Sequence, residues 1–279
     1  MSILIVQGPD LPANARAELT RLSGAEAAET LASGAIRLRG AALRRESVAD
    51  YAARHRLDAA VLDSLRPLGD FRLLAMDMDS TLIAIECIDE IADFAGVKPQ
   101  VAAITASAMR GELDFRGALR ARVALLAGLD AGVLERVYAE RLRLSPGAET
   151  LLAAAQHAGL KTLLVSGGFA FFTSRLARRL ELDFTLANEL EIHDGRLTGR
   201  LVGGIVDADA KAARVQSACA ELGVPTTGAI VIGDGANDLK MMSLAGLSVA
   251  FRAKPVVQQQ AHTALNVSGL DGVLNFVER

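Results

Sequence analysis

Three short apolar runs in this chain each break off at residues that the interior of a strand would not hold. Residues 72–76 (RLLAM) run into Asp77-Met78-Asp79-Ser80-Thr81. Residues 161–165 (KTLLV) run into Ser166-Gly167-Gly168, and 229–232 (AIVI) into Gly233-Asp234-Gly235-Ala236-Asn237-Asp238. Apolar runs of this length, bounded by turn residues, read as strands covered on both faces. Helical patterns separate most of them, and 183–187 and 247–251 are weaker strand candidates. Strands alternating with helices ask for a parallel sheet, so the expected fold class is α/β: a Rossmann-like sheet flanked by helices. Ligands bind such sheets at the carboxyl ends of the strands, and that is where the unusual residues collect.

Two insertions interrupt the alternation. Residues 84–145 contain no convincing strand and several helical stretches, so we expect a helical cap. Residues 189–206 alternate apolar and polar around Asp194-Gly195, a good two-residue turn, and read as a β-hairpin. The N-terminal segment has a different pattern. Strands are expected at 3–6, 35–38 and 59–62, and helices at 13–22 and 47–56, giving roughly βαβαβ in a small α+β module. Pro67-Leu68-Gly69-Asp70 is the expected boundary, so the 279 residues divide into 1–70 and 71–279.

Composition removes several functions. Aromatics are 4%, with nine Phe, two Tyr and no Trp, which ill equips the chain to stack on bases. A net charge of −3 takes away the electrostatic route to nucleic acid or to an anionic membrane. Cys87 and Cys219 stand far apart, which argues against a disulfide scaffold or a cysteine zinc site. The start MSILIVQGPDLP lacks the basic and long apolar segments of a signal peptide, and no stretch approaches about 20 apolar residues. The expectation is a cytoplasmic protein. The four histidines, 55, 157, 193 and 262, are scattered outside the motifs and read as surface or packing residues.

The chemistry is concentrated at the strand ends. Asp77 and Asp79 are two apart on an extended segment and can face the same way. Two close carboxylates are costly without a cation or a shared proton. Hard oxygen ligands of this kind suit Mg²⁺, and Asp234 and Asp238 add more. Ser166 with the backbone of Gly167 and Gly168, ahead of a helical pattern, resembles an anion site. Lysine is scarce, at 98, 161, 211, 240 and 254 only. Lys211 opens a helical pattern after the hairpin, as a point charge suited to a phosphoryl group. Each motif alone has an ordinary reading as a turn, a glycine-rich connection or a solvated charge.

In this order at strand ends, the four motifs resemble those of the haloacid dehalogenase-like phosphohydrolases, over residues 71–275. The resemblance implies that Asp77 is a nucleophile and Asp79 a general acid/base. It implies that Ser166, Gly167 and Lys211 bind the transferring phosphoryl group, with Gly168 in support. Mg²⁺ would be held by Asp77, the Asp79 carbonyl and Asp234. Asn237 would position phosphate or Lys211, and Asp238 would support the metal. Within the family, Glu86-Cys87-Ile88-Asp89-Glu90, Met109–Phe115 and Leu119-Arg120-Ala121-Arg122-Val123 look like the helical cap of phosphoserine phosphatases. That implies Glu86 on a substrate amino group, Arg122 on its carboxylate, and Met109 and Phe115 as an apolar wall. The substrate would be O-phosphoserine, hydrolysed to serine in serine biosynthesis. Phosphohomoserine, a phosphotransfer reaction, or a non-catalytic phospho-ligand sensor are the alternatives. The N-terminal module resembles small accessory domains of the ACT type; serine binding, a homodimer through this module, and simple packing all stay open.

Overall fold

The structure, a computed structural model, describes residues 2–40 and 43–278. The first sheet comprises β1 (Ser2–Gln7), β2 (Ala27–Thr30), β3 (Ile36–Gly40) and β4 (Asp58–Leu62), antiparallel throughout in the order β2-β3-β1-β4. Helices Ala15–Ser23 and Arg45–His55 complete a βαββαβ chain, the ferredoxin-like arrangement. It has one strand more than the sequence suggests. β2 reads AAET, has no apolar alternation and lies exposed. It exists because β3 offers an open edge, with Ala27 opposite Arg39 and Thr30 opposite Ile36.

Alternation along β1 sends its residues to two cores. Leu4 and Val6 pack with Leu19, Val48 and Tyr51 from the two helices. Ile3 and Ile5 join Ala60, Leu62, Leu68, Phe71 and Val273 in the largest core of the chain. The N-terminal module therefore shares its packing with the rest rather than standing apart. Polar groups reinforce the seam. The buried Asp58 carboxylate accepts from the backbone N–H groups of Asn266, Val267 and Ser268, at 2.7 Å for the first and last. Gln7 donates to the Gly272 carbonyl at 3.2 Å.

The second sheet comprises β5 (Leu73–Met76), β6 (Lys161–Phe169), β7 (Phe184–His193), β8 (Arg196–Val202), β9 (Ala229–Gly233), β10 (Leu247–Phe251) and β11 (Thr263–Leu265). Its order is β11-β10-β9-β5-β6-β7-β8, parallel except for β8. β5 and β9 are buried along their whole length, which explains their unbroken apolar runs. β11 went unmarked in the sequence because three residues carry no periodicity. The order sets the carboxyl ends of β9, β5 and β6 side by side, about 5 Å between neighbours.

The chain leaves this sheet after β5 and returns before β6 through a narrow neck. Ile83 bridges Leu144, and Ser145 donates to the Leu82 carbonyl at 2.9 Å. Between them lie helices Cys87–Phe94, Lys98–Met109, Phe115–Ala124 and Gly132–Arg136. The β7–β8 turn has Asp194 at φ 49° and Gly195 at φ 72°, both left-handed, as a two-residue hairpin turn requires. This hairpin is a buttress for the helical segment: Gly128 donates to the Leu197 carbonyl at 2.8 Å and Leu197 back to Leu129 at 2.9 Å. Among the described residues no helix is long and apolar enough to cross a membrane.

Candidate active site

The chain turns sharply as β5 ends. Asp77 is extended, Asp79 likewise, and Ser80 takes φ 56° before the turn over Met78–Leu82 closes. This throws the two carboxylates into one cavity of about 820 Å³ beneath the helical segment. Its walls carry Asp77, Asp79, Ser166, Gly167, Gly168, Asp234 and Asn237 from the sheet side. Glu86, Met109, Phe115 and Arg122 come from the helical side. All the sequence-selected residues except Lys211 and Asp238 thus line one space, of a size suited to a small ligand.

Lys211 and Asp238 lie directly beneath it, wholly buried. The Lys211 ammonium donates to Asp238 Oδ1 at 2.7 Å and lies 2.9 Å from Asp77 Oδ1. Asp238 Oδ2 accepts from the N–H groups of Asp234 and Gly235 at 3.2 and 3.0 Å. Both oxygens of Asp238 are therefore engaged, and what it holds is Lys211 and the backbone of the loop after β9. Burial opposes the charge on Lys211, but Asp238 and Asp77 outweigh it and raise the ammonium pKa.

Oxygens of Asp77, Asp234 and Asp238 lie within 4.8 Å of one another. An all-carboxylate set suits a hard divalent cation, and its electrostatics point the same way. Burial, then the charge of Asp238, pushes Asp77 well above the carboxylate range and Asp234 to about 7. Negative charge here exceeds what Lys211 neutralises, so a cation fits. The Asp79 carboxylate is not a member of this cluster. Its Oδ1 accepts from the Cys87 N–H at 3.0 Å, at the start of helix Cys87–Phe94. Burial and then Glu86 push it to about 7, so Asp79 can carry a proton near neutrality.

Gly168 shows why no side chain is tolerated beside Asp79: a Cβ there would overlap Asp79 Oδ2 and reach 3.0 Å from Met78. The Gly168 N–H is not a free anion donor, since it is spent on Ser166 Oγ at 2.8 Å. Across the cavity, burial lowers the Arg122 pKa, although Asp89 and Glu86 support its charge. Glu86 keeps solvent contact through the open cavity while protein crowds its other sides, and that burial raises its carboxyl. Ser80 donates to it at 2.6 Å.

Four neighbours escaped the sequence reading as site residues. Ser80 and Thr81 belong to the quoted strand-end motif, and Thr81 donates to Asp234 at 3.2 Å. Cys87 follows Glu86 and supplies the N–H for Asp79. Asn188, buried midway along β7, donates to the Gly167 carbonyl at 2.7 Å and accepts from the Val206 N–H at 2.8 Å. Adjacency to the motifs is the signal that could have found the first three; nothing local marks Asn188, whose partners are far away in sequence.

Known proteins resemble this chain over most of its length. A family model described as haloacid dehalogenase-like hydrolase matches residues 74–243, and a domain of unknown function matches 4–46. A phosphoserine phosphatase from Polaromonas is 55% identical over 216 residues, covering 76% of this chain and 92% of the relative. The crystal structure of a probable phosphoserine phosphatase from Vibrio cholerae superposes with TM-score 0.83 at 34% identity, covering 99% of this chain and 86% of that one. A phosphoserine phosphatase solved as a phospho-aspartyl intermediate analogue superposes with TM-score 0.70 at 36% identity, covering 75% of this chain and 99% of that one.

Proposed function

Given that the chain belongs to the haloacid dehalogenase-like hydrolases, we propose that it is a phosphoserine phosphatase, releasing serine and phosphate from O-phospho-L-serine as the last step of serine biosynthesis in the cytoplasm. The observation that carries this reading is one cavity with two kinds of wall. The acid pair Asp77 and Asp79 faces it from the sheet, and Arg122 and Glu86 face it from the helices. An amino acid phosphate presents a dianion, a carboxylate and an ammonium. Arg122 supplies a planar fork for the carboxylate, and Glu86 an acid for the ammonium. Met109 and Phe115 close the apolar side.

Asp77 is the nucleophile. Its carboxylate oxygen forms a bond to phosphorus as the bond to the seryl oxygen breaks, giving an aspartyl phosphate. The related enzyme captured with a phospho-aspartyl analogue supports this step. Asp79, protonated near neutrality, gives its proton to the leaving oxygen, then takes one from the water that hydrolyses the intermediate. Ser166, the Gly167 N–H, Lys211 and Asn237 bind the phosphoryl oxygens, with Gly168 leaving room for Asp79. Asp238 keeps Lys211 charged and aimed. Mg²⁺, held by Asp77, Asp234 and the Asp79 carbonyl, would supply positive charge that keeps Asp77 ionised and offsets the incoming phosphate.

The test is phosphate release from O-phosphoserine by purified protein with and without Mg²⁺. Asp77→Asn should abolish turnover with the fold retained. Arg122→Ala should raise KM for O-phosphoserine at least tenfold and barely alter hydrolysis of an aryl phosphate. Equal losses on both substrates, or faster turnover of phosphohomoserine, would refute the assignment. A homodimer through the N-terminal module would have to use the open β2 edge or the outer helix faces, because both faces of β1 are occupied; sedimentation of the whole chain tests this.

A further inference from the structure

We infer that Arg116 is a positioning residue: its ion pair with Asp207 latches the helical cap onto the loop that leads into the Lys211 helix. Helix Phe115–Ala124 docks on the sheet side through its first turn. Asp114 caps it, accepting from the Gly117 N–H at 2.7 Å. Phe115 lies so near Gly167 that a Cβ there would come to 3.0 Å from its ring. Arg116 reaches past it, with Nε and Nη2 at 2.7 and 2.5 Å from Asp207 Oδ2. The other Asp207 oxygen accepts from the N–H groups of Asp209 and Ala210 at 3.1 and 3.0 Å, capping helix Ala208–Glu221. One carboxylate therefore serves both halves of the site: one oxygen starts the helix that carries Lys211, and the other receives the cap.

The receiving surface is itself tied together. Asn188 joins the Gly167 carbonyl to the Val206 N–H, so the two landing points, Gly167 and Asp207, move as one. Glu135 and Arg175 also pair across the cap boundary, at 2.8 Å, but neither lines the cavity, whereas Arg116 and Asp207 both do. Opening the cavity at this edge breaks the Arg116 pair while the neck at Ile83 and the hairpin buttress stay closed. The pair is partly wet, with side-chain exposures of 56% for Arg116 and 14% for Asp207. Its strength is therefore that of a weak, salt-sensitive latch that can release on every turnover, about two- to fivefold in the open–closed ratio.

The kinetic part of the test rests on the phosphatase reading; the exchange part does not. Amide hydrogen exchange over residues 98–122 is followed in the whole protein, in Arg116→Ala, in Asp207→Asn (Asn still caps a helix) and in the double variant. Each single change should speed exchange about two- to fivefold, and the double should exceed neither, because both break one contact. About 0.5 M salt should move the unmodified protein towards the variants. KM for O-phosphoserine should rise by a similar factor with kcat held or increased, a split that general damage to the cap would not give. Unchanged exchange in both single variants, or effects that multiply in the double, would overturn the latch. A protein inert towards O-phosphoserine would instead sink the proposed activity, with the exchange result still deciding the latch.

Discussion

Replacing Lys211 by Met keeps an unbranched stem of similar bulk and removes only the ammonium. That ammonium lies 2.9 Å from Asp77 and 2.7 Å from Asp238 in a wholly buried setting. At an effective dielectric of 20, each contact is an attraction of about 6 kcal/mol. Desolvating the ammonium costs several kcal/mol in return. A protonated carboxyl can also replace part of the lost charge compensation, so the net loss falls to about 3–5 kcal/mol, the usual cost of orphaning a buried ion. For a chain of this length 1 kcal/mol moves Tm by about 2 °C, so the variant should melt about 6–10 °C lower. The loss has a sign in pH. Burial and its acidic neighbours already raise Asp77, and without the ammonium it holds its proton still more tightly when folded than when unfolded. The deficit should therefore be small near pH 4 and grow as pH rises towards the raised folded value. Mg²⁺ should recover more of Tm in the variant than in the unmodified protein, since it supplies the missing positive charge. Scanning calorimetry at pH 5 and pH 8, with and without Mg²⁺, measures all of this. A loss under about 2 °C at pH 8, or one independent of pH, would mean that Lys211 acts through packing, and the electrostatic argument would fail.

Three further outcomes follow from the geometry. Gly168→Ala forces a Cβ onto Asp79 Oδ2, and should cut kcat at least a hundredfold with little change in Tm; near-normal turnover would show that Asp79 need not sit there. The limb of kcat that depends on protonated Asp79 should fall as pH rises through about 7. Glu86→Gln, which removes the charge that helps raise Asp79, should move that limb to lower pH, as a pH–rate profile will show. Asp58→Ala leaves the N–H groups of Asn266, Val267 and Ser268 without their shared acceptor. It should cost about 3 kcal/mol, about 6 °C, while kcat on O-phosphoserine is retained.

Much of the site was legible because its information is local. β5, β6 and β9 announce themselves as apolar runs; Asp77 and Asp234 follow β5 and β9 directly, whereas β6 runs on through Ser166-Gly167-Gly168 to Phe169 rather than breaking off at Ser166. Cap residues Glu86 and Arg122 needed the family resemblance, since a lone acid and a lone Arg on helices are ordinary surface charges. What escaped depends on partners distant in the chain. β2 has strand geometry only because β3 lies beside it, and Asn188 matters through the Gly167 carbonyl and the Val206 N–H. The acidic motif points to Asp238 as a support for a metal, and it does lie in the carboxylate cluster; its contact with Lys211 is visible only in the fold. The β7–β8 hairpin turns at Asp194-Gly195, but its partnership with residues 128–131 is not visible in its alternation.

The Asp58 carboxylate grips three consecutive amides from the far end of the chain, and β1 lends one face to the same region. In mechanical terms this contact closes the chain between residues 58 and 268 into a loop fastened by a zip. An enzyme shortened to residues 71–279 would not be a catalytic domain set free but one with an exposed wound, its apolar floor facing water and three amides looking for an oxygen.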